Sequence, residues 1–284
     1  LDGAAKITDL VGYAKELGMT SLAITDHGVM YGAIEFYEEC KKQGIKPILG
    51  CEVYVTTGSH LERNNRGLYH LILLAENLEG YHNIMKMVSL AQLEGFYYKP
   101  RVDKDILRAH SKGVICLSAC IAGELPVYIL QDNLDGARRC LEEYLEIFGK
   151  DNYFLEIQNH DLDEEHKVNK VLKQLAKEYG LGLVATNDLH YVRRQDAEAQ
   201  DVLLCLQTGS TVDEPNRMRF PNDQFYLKSY MEMAEKFPDC PEALANSNLI
   251  AERCNVELEF GKLLLPEFAV PEGFDAVSYL RHLC

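Results

Sequence analysis

The sequence lacks the features of a membrane-bound or secreted protein. Its longest apolar runs, such as LILLA, have the length of a strand. They are much shorter than a membrane span, which needs about 20 residues. No secretory signal opens the chain. The nine cysteines are odd in number and widely spread, which does not suit a disulfide framework. These absences argue against a membrane partner and favour a reducing, cytoplasmic location.

Several catalytic signatures and an excess of basic residues are also missing. There is no P-loop, no GxGxxG and no nucleophile elbow with a Ser-His-Asp set. The formal net charge is -15, whereas a dedicated nucleic-acid surface is normally basic because Lys and Arg replace the counterions on phosphates. The charge argues against tight DNA binding by this segment alone. It does not argue against cations, since clustered carboxylates attract metal ions that can then hold a phosphate.

What the sequence does contain is an alternation of strand-like and helix-like segments. The predicted strands are 21–26, 46–55, 68–75, 113–119, 152–158 and 181–187. Apolar strands separated by helices predict a parallel sheet buried on both faces. About six or seven such units predict an α/β fold. They favour a (β/α) barrel over an open sheet. The open sheet remains an alternative, because periodicity does not reveal closure.

The C-terminal part has a different pattern. Residues 210–260 contain a strand-like stretch at 224–229 and helices near 229–236 and 241–255. The stretch 263–274, LLLPEFAVPEGF, has two prolines and predicts a linker. We therefore expect a barrel domain over residues 1–262, and a linker with the start of a further domain over 263–284. Because the sequence opens on Leu1 and ends in a helix-like AVSYLRHLC, we expect it to be a piece of a longer protein.

Five of the predicted strands deliver ligand-type side chains, within the strand or just after it. They are Asp26 with His27, Glu52, Cys120, His160, and Asp188 with His190. In parallel β/α folds the carboxyl ends of the strands meet at one rim, so these side chains are expected to lie together. If the chain is extended at 188–190, the two side chains there project to the same side. His70 fits less well, because it stands early in its strand.

Each position also has a plainer interpretation. An aspartate near a helix or turn is more often a cap, which applies to Asp26 and Asp188. A histidine after a strand is more often a hydrogen-bonded turn residue than a ligand. Glu52 in an apolar strand is harder to explain, because a buried glutamate needs a partner or a metal. Cys116 alternates with apolar neighbours and is expected in the core.

The whole set is harder to explain by chance than any single member. A mixture of His, Asp, Glu and Cys suits borderline ions, namely zinc, manganese or iron. More than four ligands implies more than one ion, and clustered divalent ions suit the cleavage of phosphoesters. The residues alone therefore indicate a metal centre at the rim of the fold.

Six ordered motifs then carry a resemblance to a known family. They are LDGAAKI, LAITDHGVMYGAIEFY, PILGCEVYV, YHLILLA, CLSACIAGEL and ATNDLHYV. Together with FYYKPRVD and the exit LLPEFAVPEGFDAVSYLRHLC, they closely resemble the N-terminal PHP (polymerase and histidinol phosphatase) domain of bacterial DNA polymerase III alpha subunits, which are replicative C-family polymerases. The likeness covers nearly the whole chain. It implies a distorted seven-stranded (β/α) barrel, similar to a TIM barrel, with up to three divalent metal ions.

The resemblance also implies the ligands. Carried over residue by residue, they are Asp2, His27, Glu52, His70, Cys120, Asp188 and His190. The family also uses an H-x-H pair just upstream of LDG, which is absent from this sequence. The seven positions are all ligand-competent, which favours an active site in the full protein. His160 is outside the family's ligand set and is a candidate for substrate contact.

The family implies several functions. The full protein would be a DNA-directed DNA polymerase, whose nucleotidyl-transfer site and magnesium lie beyond residue 284. The segment itself would be a metal-dependent 3′-5′ exonuclease acting on the 3′ end of a primer strand. Its partners would be DNA, the rest of the polymerase chain and, through other regions, replisome subunits such as the sliding clamp. One alternative is a metal-stabilised structural or partner-binding module. A stand-alone histidinol-phosphatase-type enzyme is disfavoured by FYYKPRVD and the exit.

Overall fold

The computed structural model describes residues 3–263, 265–266 and 268–284, so Asp2 lies outside the described residues. The strands are β1 (Ser21–Ile24), β2 (Lys46–Thr56), β3 (Leu68–Ala75), β4 (Arg101–Val102), β5 (Val114–Leu117), β6 (Tyr153–Ile157) and β7 (Leu183–Ala185). The helices are α1 (Ile7–Glu16), α2 (Ala33–Gln43), α3 (Leu78–Leu93), α4 (Lys104–Ala109), α5 (Glu124–Leu130), α6 (Leu134–Phe148), α7 (Asp163–Tyr179), α8 (Ala197–Thr208), α9 (Tyr230–Lys236), α10 (Pro241–Arg253) and α11 (Ala276–Leu283).

The strands form one seven-stranded sheet, and the predicted α/β class is confirmed. The order is β1-β2-β3-β5-β6-β7, with β4 paired to β2. The expectation of an all-parallel sheet is wrong for β3, which runs antiparallel to both β2 and β5. The physical reason is the connection from β2 to β3: residues 57–67 contain no helix, and a helix-free return favours an antiparallel neighbour.

The sheet curls, as the predicted distorted barrel requires. β1 and β7 stand at opposite ends of the strand order. Nevertheless His27, which follows β1, and His190, which follows β7, have ring centroids only 6.0 Å apart. A cavity of about 1050 Å³ lies inside the curl, lined by apolar side chains from the inner face of the sheet such as Ile48, Ile72 and Val184. Both sheet edges therefore bring their carboxyl ends to the same place.

Both faces of the sheet are buried, as the apolar strands predict. Leu49, Val53 and Leu73 lie in the large core between the sheet and the helices, whereas Ile48 and Ile72 lie in a smaller inner cluster. Cys116 belongs to the large core and is fully buried, which confirms the structural interpretation of that cysteine.

Most predicted elements match, and two short ones were missed. The stretch 224–229 forms no strand; Tyr226 makes only an isolated bridge with Tyr191. β4 and α4 were not predicted, since a two-residue strand leaves no periodic signal. Helices α9 and α10 fall where expected. None of the helices in the described ranges is both long and apolar enough to cross a membrane. The domain boundary at residue 262 stays a prediction.

Candidate metal centre

The centre is built on Glu52, His70 and Cys120, which come from three neighbouring parts of the sheet. Each offers one ligand atom, and these atoms lie within 4.8 Å of one another. Glu52 stands in β2 and His70 in β3, and Cys120 follows β5. Glu52 Oε1 is 2.9 Å from His70 Nδ1, and Cys120 Sγ is 3.5 Å from the same nitrogen. Because β3 is antiparallel, its early residue His70 reaches the rim where β2 and β5 end.

His27 extends this cluster from the β1 side. Its Nδ1 lies 2.6 Å from Glu52 Oε1. The backbone holds it there: Glu52 N–H donates to the Asp26 carbonyl at 3.0 Å and Gly28 N–H donates to the Glu52 carbonyl at 2.8 Å. Burial opposes the charge on Glu52, but its contacts with His27 and His70 outweigh burial and lower the pKa of Glu52 to about 2. A carboxylate so poised is charged and ready to bridge cations at neutral pH.

Asp188 and His190 reach the cluster from the other edge of the sheet. Asp188 has a φ of 41°, so the expectation of an extended backbone there is wrong. The turn still keeps the two side chains together, with His190 Nδ1 at 3.9 Å from Asp188 Oδ1 and at 2.9 Å from its carbonyl oxygen. Burial raises the pKa of Asp188. The neighbouring His190 opposes this rise, and the negative charge of Glu52 adds to it. A cation would relieve this repulsion between carboxylates.

His160 lies behind this turn, fully buried. Its Nδ1 is 2.5 Å from Glu165 Oε1 and its Nε2 is 2.6 Å from the Asn187 carbonyl oxygen. The ring stacks on Phe225 with centroids 4.2 Å apart. Because a carbonyl oxygen only accepts, Nε2 carries a hydrogen and fixes the residue before Asp188. Substrate contact by His160 stays a prediction, and it would require the ring to break these contacts.

Two residues beside the candidate site, Glu156 and Lys228, were not predicted from the sequence. Glu156 in β6 is buried, and burial, with the charges on Asp188 and Glu52, raises its pKa to about 7 against the hydrogen bond from Thr186. Lys228 is buried beside the turn, where its ammonium donates to Asn187 Oδ1 at 2.8 Å, and burial lowers its pKa to about 8. The available signal for Glu156 was the one used for Glu52, a charged residue inside an apolar strand.

The donor set fits a divalent metal centre. A carboxylate shared by two imidazoles, with a thiol beside one of them, is the mixture that zinc and similar borderline ions prefer. Of the predicted ligands, the structure brings together His27, Glu52, His70 and Cys120, and it places Asp188 and His190 next to them. Asp2 lies outside the described residues.

Comparison with known proteins identifies a domain family and similar chains. The PHP domain family matches residues 1–160. A DNA polymerase III subunit alpha from Treponema pallidum is 48% identical over 100% of this chain and 25% of the relative, and one from Thermus aquaticus is 48% identical over 100% of this chain and 24% of the relative. The chain therefore spans about a quarter of the length of these curated relatives.

A distant likeness also exists among solved structures. A two-domain Bacteroides vulgatus protein, described as containing a predicted PHP-like metal-dependent phosphoesterase, is 16% identical with a TM-score of 0.44, over 83% of this chain and 59% of the other. That likeness is too remote to assign a fold or a function to this chain. The family match covers more than half of the chain and includes His27, Glu52, His70 and Cys120. The chain belongs to the PHP domain family.

Proposed function

We propose that this chain is the N-terminal PHP domain of a bacterial DNA polymerase III alpha subunit, and that its metal centre hydrolyses the terminal phosphodiester at the 3′ end of a DNA strand. The observation that carries the proposal is the contact set of Glu52 with His27 and His70 beside Cys120. Full-chain identity of 48% to polymerase subunits supports the polymerase context.

The residues fit distinct tasks in such a reaction. Divalent ions, when bound, would lower the pKa of water and withdraw charge from the phosphate. Glu52 is the common acceptor of two histidines, so it orients both rings and supplies the negative charge that neutralises cations. Asp188 comes to the same cluster on a turn at the other edge of the sheet. His160 and Lys228 hold that turn in place through their hydrogen bonds to Asn187.

The acidic composition is consistent with this proposal. A net charge of -15 would repel a phosphate backbone over most of the surface. Cations in the centre would supply the local attraction, and the rest of the polymerase would supply most of the DNA affinity. Polymerisation itself, with its magnesium, belongs to regions beyond this chain.

A structural role is the second candidate. The cluster ties β2 and β3 to the segments that follow β1 and β5, so bound ions would cross-link four parts of the fold. Metal binding of this kind contributes folding free energy without catalysis.

Asp188→Asn in the full-length protein tests the choice. An active exonuclease should lose about tenfold to a hundredfold in 3′-end degradation, because the substitution removes the charge of one proposed ligand. Asp239→Asn, an exposed carboxylate paired with Lys173, is the control and should keep full activity. If Asp188→Asn loses bound metal and thermal stability while 3′-end degradation is unchanged, the structural role replaces the exonuclease. Elemental analysis that finds no transition metal in the intact protein would sink both.

A further inference from the structure

A basic and aromatic surface stands beside the centre. We define it as residues 57–67 and 96–101 and call it the lip. It contains three exposed basic side chains, Arg63, Arg66 and Lys99, besides the buried Arg101, and one acidic side chain, Glu62, in a chain whose net charge is -15. Glu94 lies just outside it and faces His60, with Oε2 at 3.7 Å from Nε2. The lip is therefore a local reversal of the overall charge.

The lip touches residues that lie next to the candidate ligands. A Cβ on Gly28, next to His27, would lie only 2.8 Å from Pro100 Cγ, so the two segments are packed together. The Lys99 ammonium lies 5.2 Å from the centroid of the Tyr54 ring. That ring is 5.4 Å from the His70 ring and 6.3 Å from the His27 ring. One aromatic ring thus separates Lys99 from two candidate ligands.

Tyr98 forms the outer part of the lip. Its side chain is 62% exposed, and its backbone has a φ of 63°, a conformation that non-glycine residues rarely adopt. The Arg66 guanidinium carbon lies 3.9 Å from the centroid of the Tyr98 ring. Phe96 is also exposed, at 53%. The Tyr98 ring also packs edge-on against Tyr97, with centroids 4.7 Å apart, and its hydroxyl accepts from Arg66. Glycine would suit this backbone better, so these contacts hold an exposed ring in a strained conformation.

The lip is held in place from within. Arg101 is fully buried and its guanidinium donates to the carbonyls of Gly95, Asn65 and His60, at 2.9, 3.0 and 2.8 Å, and to that of Glu62. Asp103 Oδ2 lies 2.6 Å from His60 Nδ1. These bonds join the two segments of the lip, so its exposed side chains are presented on an ordered backbone.

We propose that the lip receives the last nucleotides of a single-stranded 3′ end, with a base stacked on Tyr98 and the phosphates on Lys99 and Arg66. This inference rests on the proposed function and adds the path by which the substrate reaches the centre. Aromatic faces interleaved with cations are the features that bind single strands without sequence preference. A duplex would present no free base faces to Tyr98, so a frayed or unpaired end is the form that fits.

Tyr98→Gly in the full-length protein separates the proposal from a structural role. Glycine relieves the φ of 63° and removes the stacking ring. A merely structural tyrosine would leave substrate affinity unchanged. We expect instead that KM for 3′-end removal from a single-stranded oligonucleotide rises about fivefold or more, relative to any change in KM for bis(p-nitrophenyl) phosphate. Tyr98→Phe keeps the ring and should recover most of the affinity.

Lys99→Ala tests the phosphate contact through salt dependence. Loss of one phosphate contact should reduce the slope of log KM against log salt by about 0.7 for a single strand. Lys150→Ala is the matched control, because Lys150 is exposed and lies beside Gly180 before β7, at the opposite end of the strands. It should leave both KM and the slope unchanged.

A readout without turnover completes the test. With a chelator present to stop hydrolysis, an oligonucleotide with 4-thiothymidine next to its 3′ end should photo-crosslink to the peptide that contains residues 96–101, and Tyr98→Gly should remove that product. The proposal for the lip is overturned if crosslinks form only elsewhere. It is also overturned if KM and the salt slope are unchanged in both variants. If Asp188→Asn leaves hydrolysis of both substrates intact while the lip variants raise KM, the metal-centre proposal fails and the lip stands.

Discussion

Glu52 Oε1 lies 2.6 Å from Nδ1 of His27, although 25 positions separate the two residues in the chain. The same oxygen lies 2.9 Å from Nδ1 of His70. One buried carboxylate oxygen from β2 therefore joins the segment after β1 to the beginning of β3. Two histidines that share one acceptor oxygen are oriented toward a common point, which is what a cluster of cations requires.

Glu52→Gln should remove most of the bound metal. The amide keeps the size of the side chain but loses the negative charge, which the contacts with His27 and His70 stabilise by lowering the pKa of Glu52 to about 2 against its burial. It also offers hydrogen donors where cations need acceptors. We expect metal affinity to fall at least about tenfold, measured by elemental analysis after equilibrium dialysis. Glu79→Gln, at an exposed position in the first turn of α3, should keep the full metal content. Full metal content in Glu52→Gln would contradict the role given to this residue.

Cys120→Ser should change metal preference more than metal capacity. A thiolate favours zinc, whereas a hydroxyl does not, so zinc affinity should fall by more than manganese affinity. Burial raises the pKa of the Cys120 thiol, and a bound ion would have to displace its proton. Competition between the two metals, followed by elemental analysis, gives the ratio. Cys116→Ala, in the core of the same region, should lower stability and leave the ratio as it is. An equal loss for both metals would argue against Cys120 as a ligand.

The sequence predicted which candidate ligands lie close together better than it predicted the path of the sheet. The candidate ligands after β1, β5 and β7 and inside β2 lie near one another, as expected for parallel strands that end at one rim. His70 fitted poorly, since its early position makes sense only once β3 is reversed. The helix-free stretch 57–67 was the available signal for that reversal. The left-handed Asp188 left no such signal, because hydrogen bonds from distant residues to Asn187 fix the turn.

His160→Phe should weaken the fold and the centre together. Phenylalanine keeps the stack on Phe225 but makes neither hydrogen bond, so the Glu165 carboxylate and the Asn187 carbonyl lose a buried partner. We expect a loss of about 3 kcal/mol in the free energy of unfolding and a lower metal affinity, because the Asp188 turn is released. Urea unfolding and metal titration measure the two effects. His166→Phe changes an exposed histidine in α7 and serves as the control. Unchanged metal affinity in His160→Phe would show that this contact does not position Asp188.

Glu156→Gln should remove a pH dependence of stability. The pKa of Glu156 is raised from 4.5 to about 7, so between these values the folded state binds its proton more tightly than the unfolded state. The free energy of unfolding therefore falls as the pH rises through that window. The loss reaches about 3 kcal/mol and is complete above pH 7.

The neutral glutamine makes the sign testable. It has no proton to lose, so the variant should gain up to about 3 kcal/mol on the wild type between pH 5 and pH 8, measured by urea unfolding. A chelator must be present, because cations in the neighbouring centre would lower the pKa of Glu156 and hide the effect. Glu142→Gln, whose carboxylate accepts a hydrogen bond from Tyr179 at the surface, should follow the wild-type curve at both pH values. Parallel curves for wild type and Glu156→Gln would mean that this carboxyl group is already ionised at pH 5, and that the inner face of the sheet is better solvated than its burial implies.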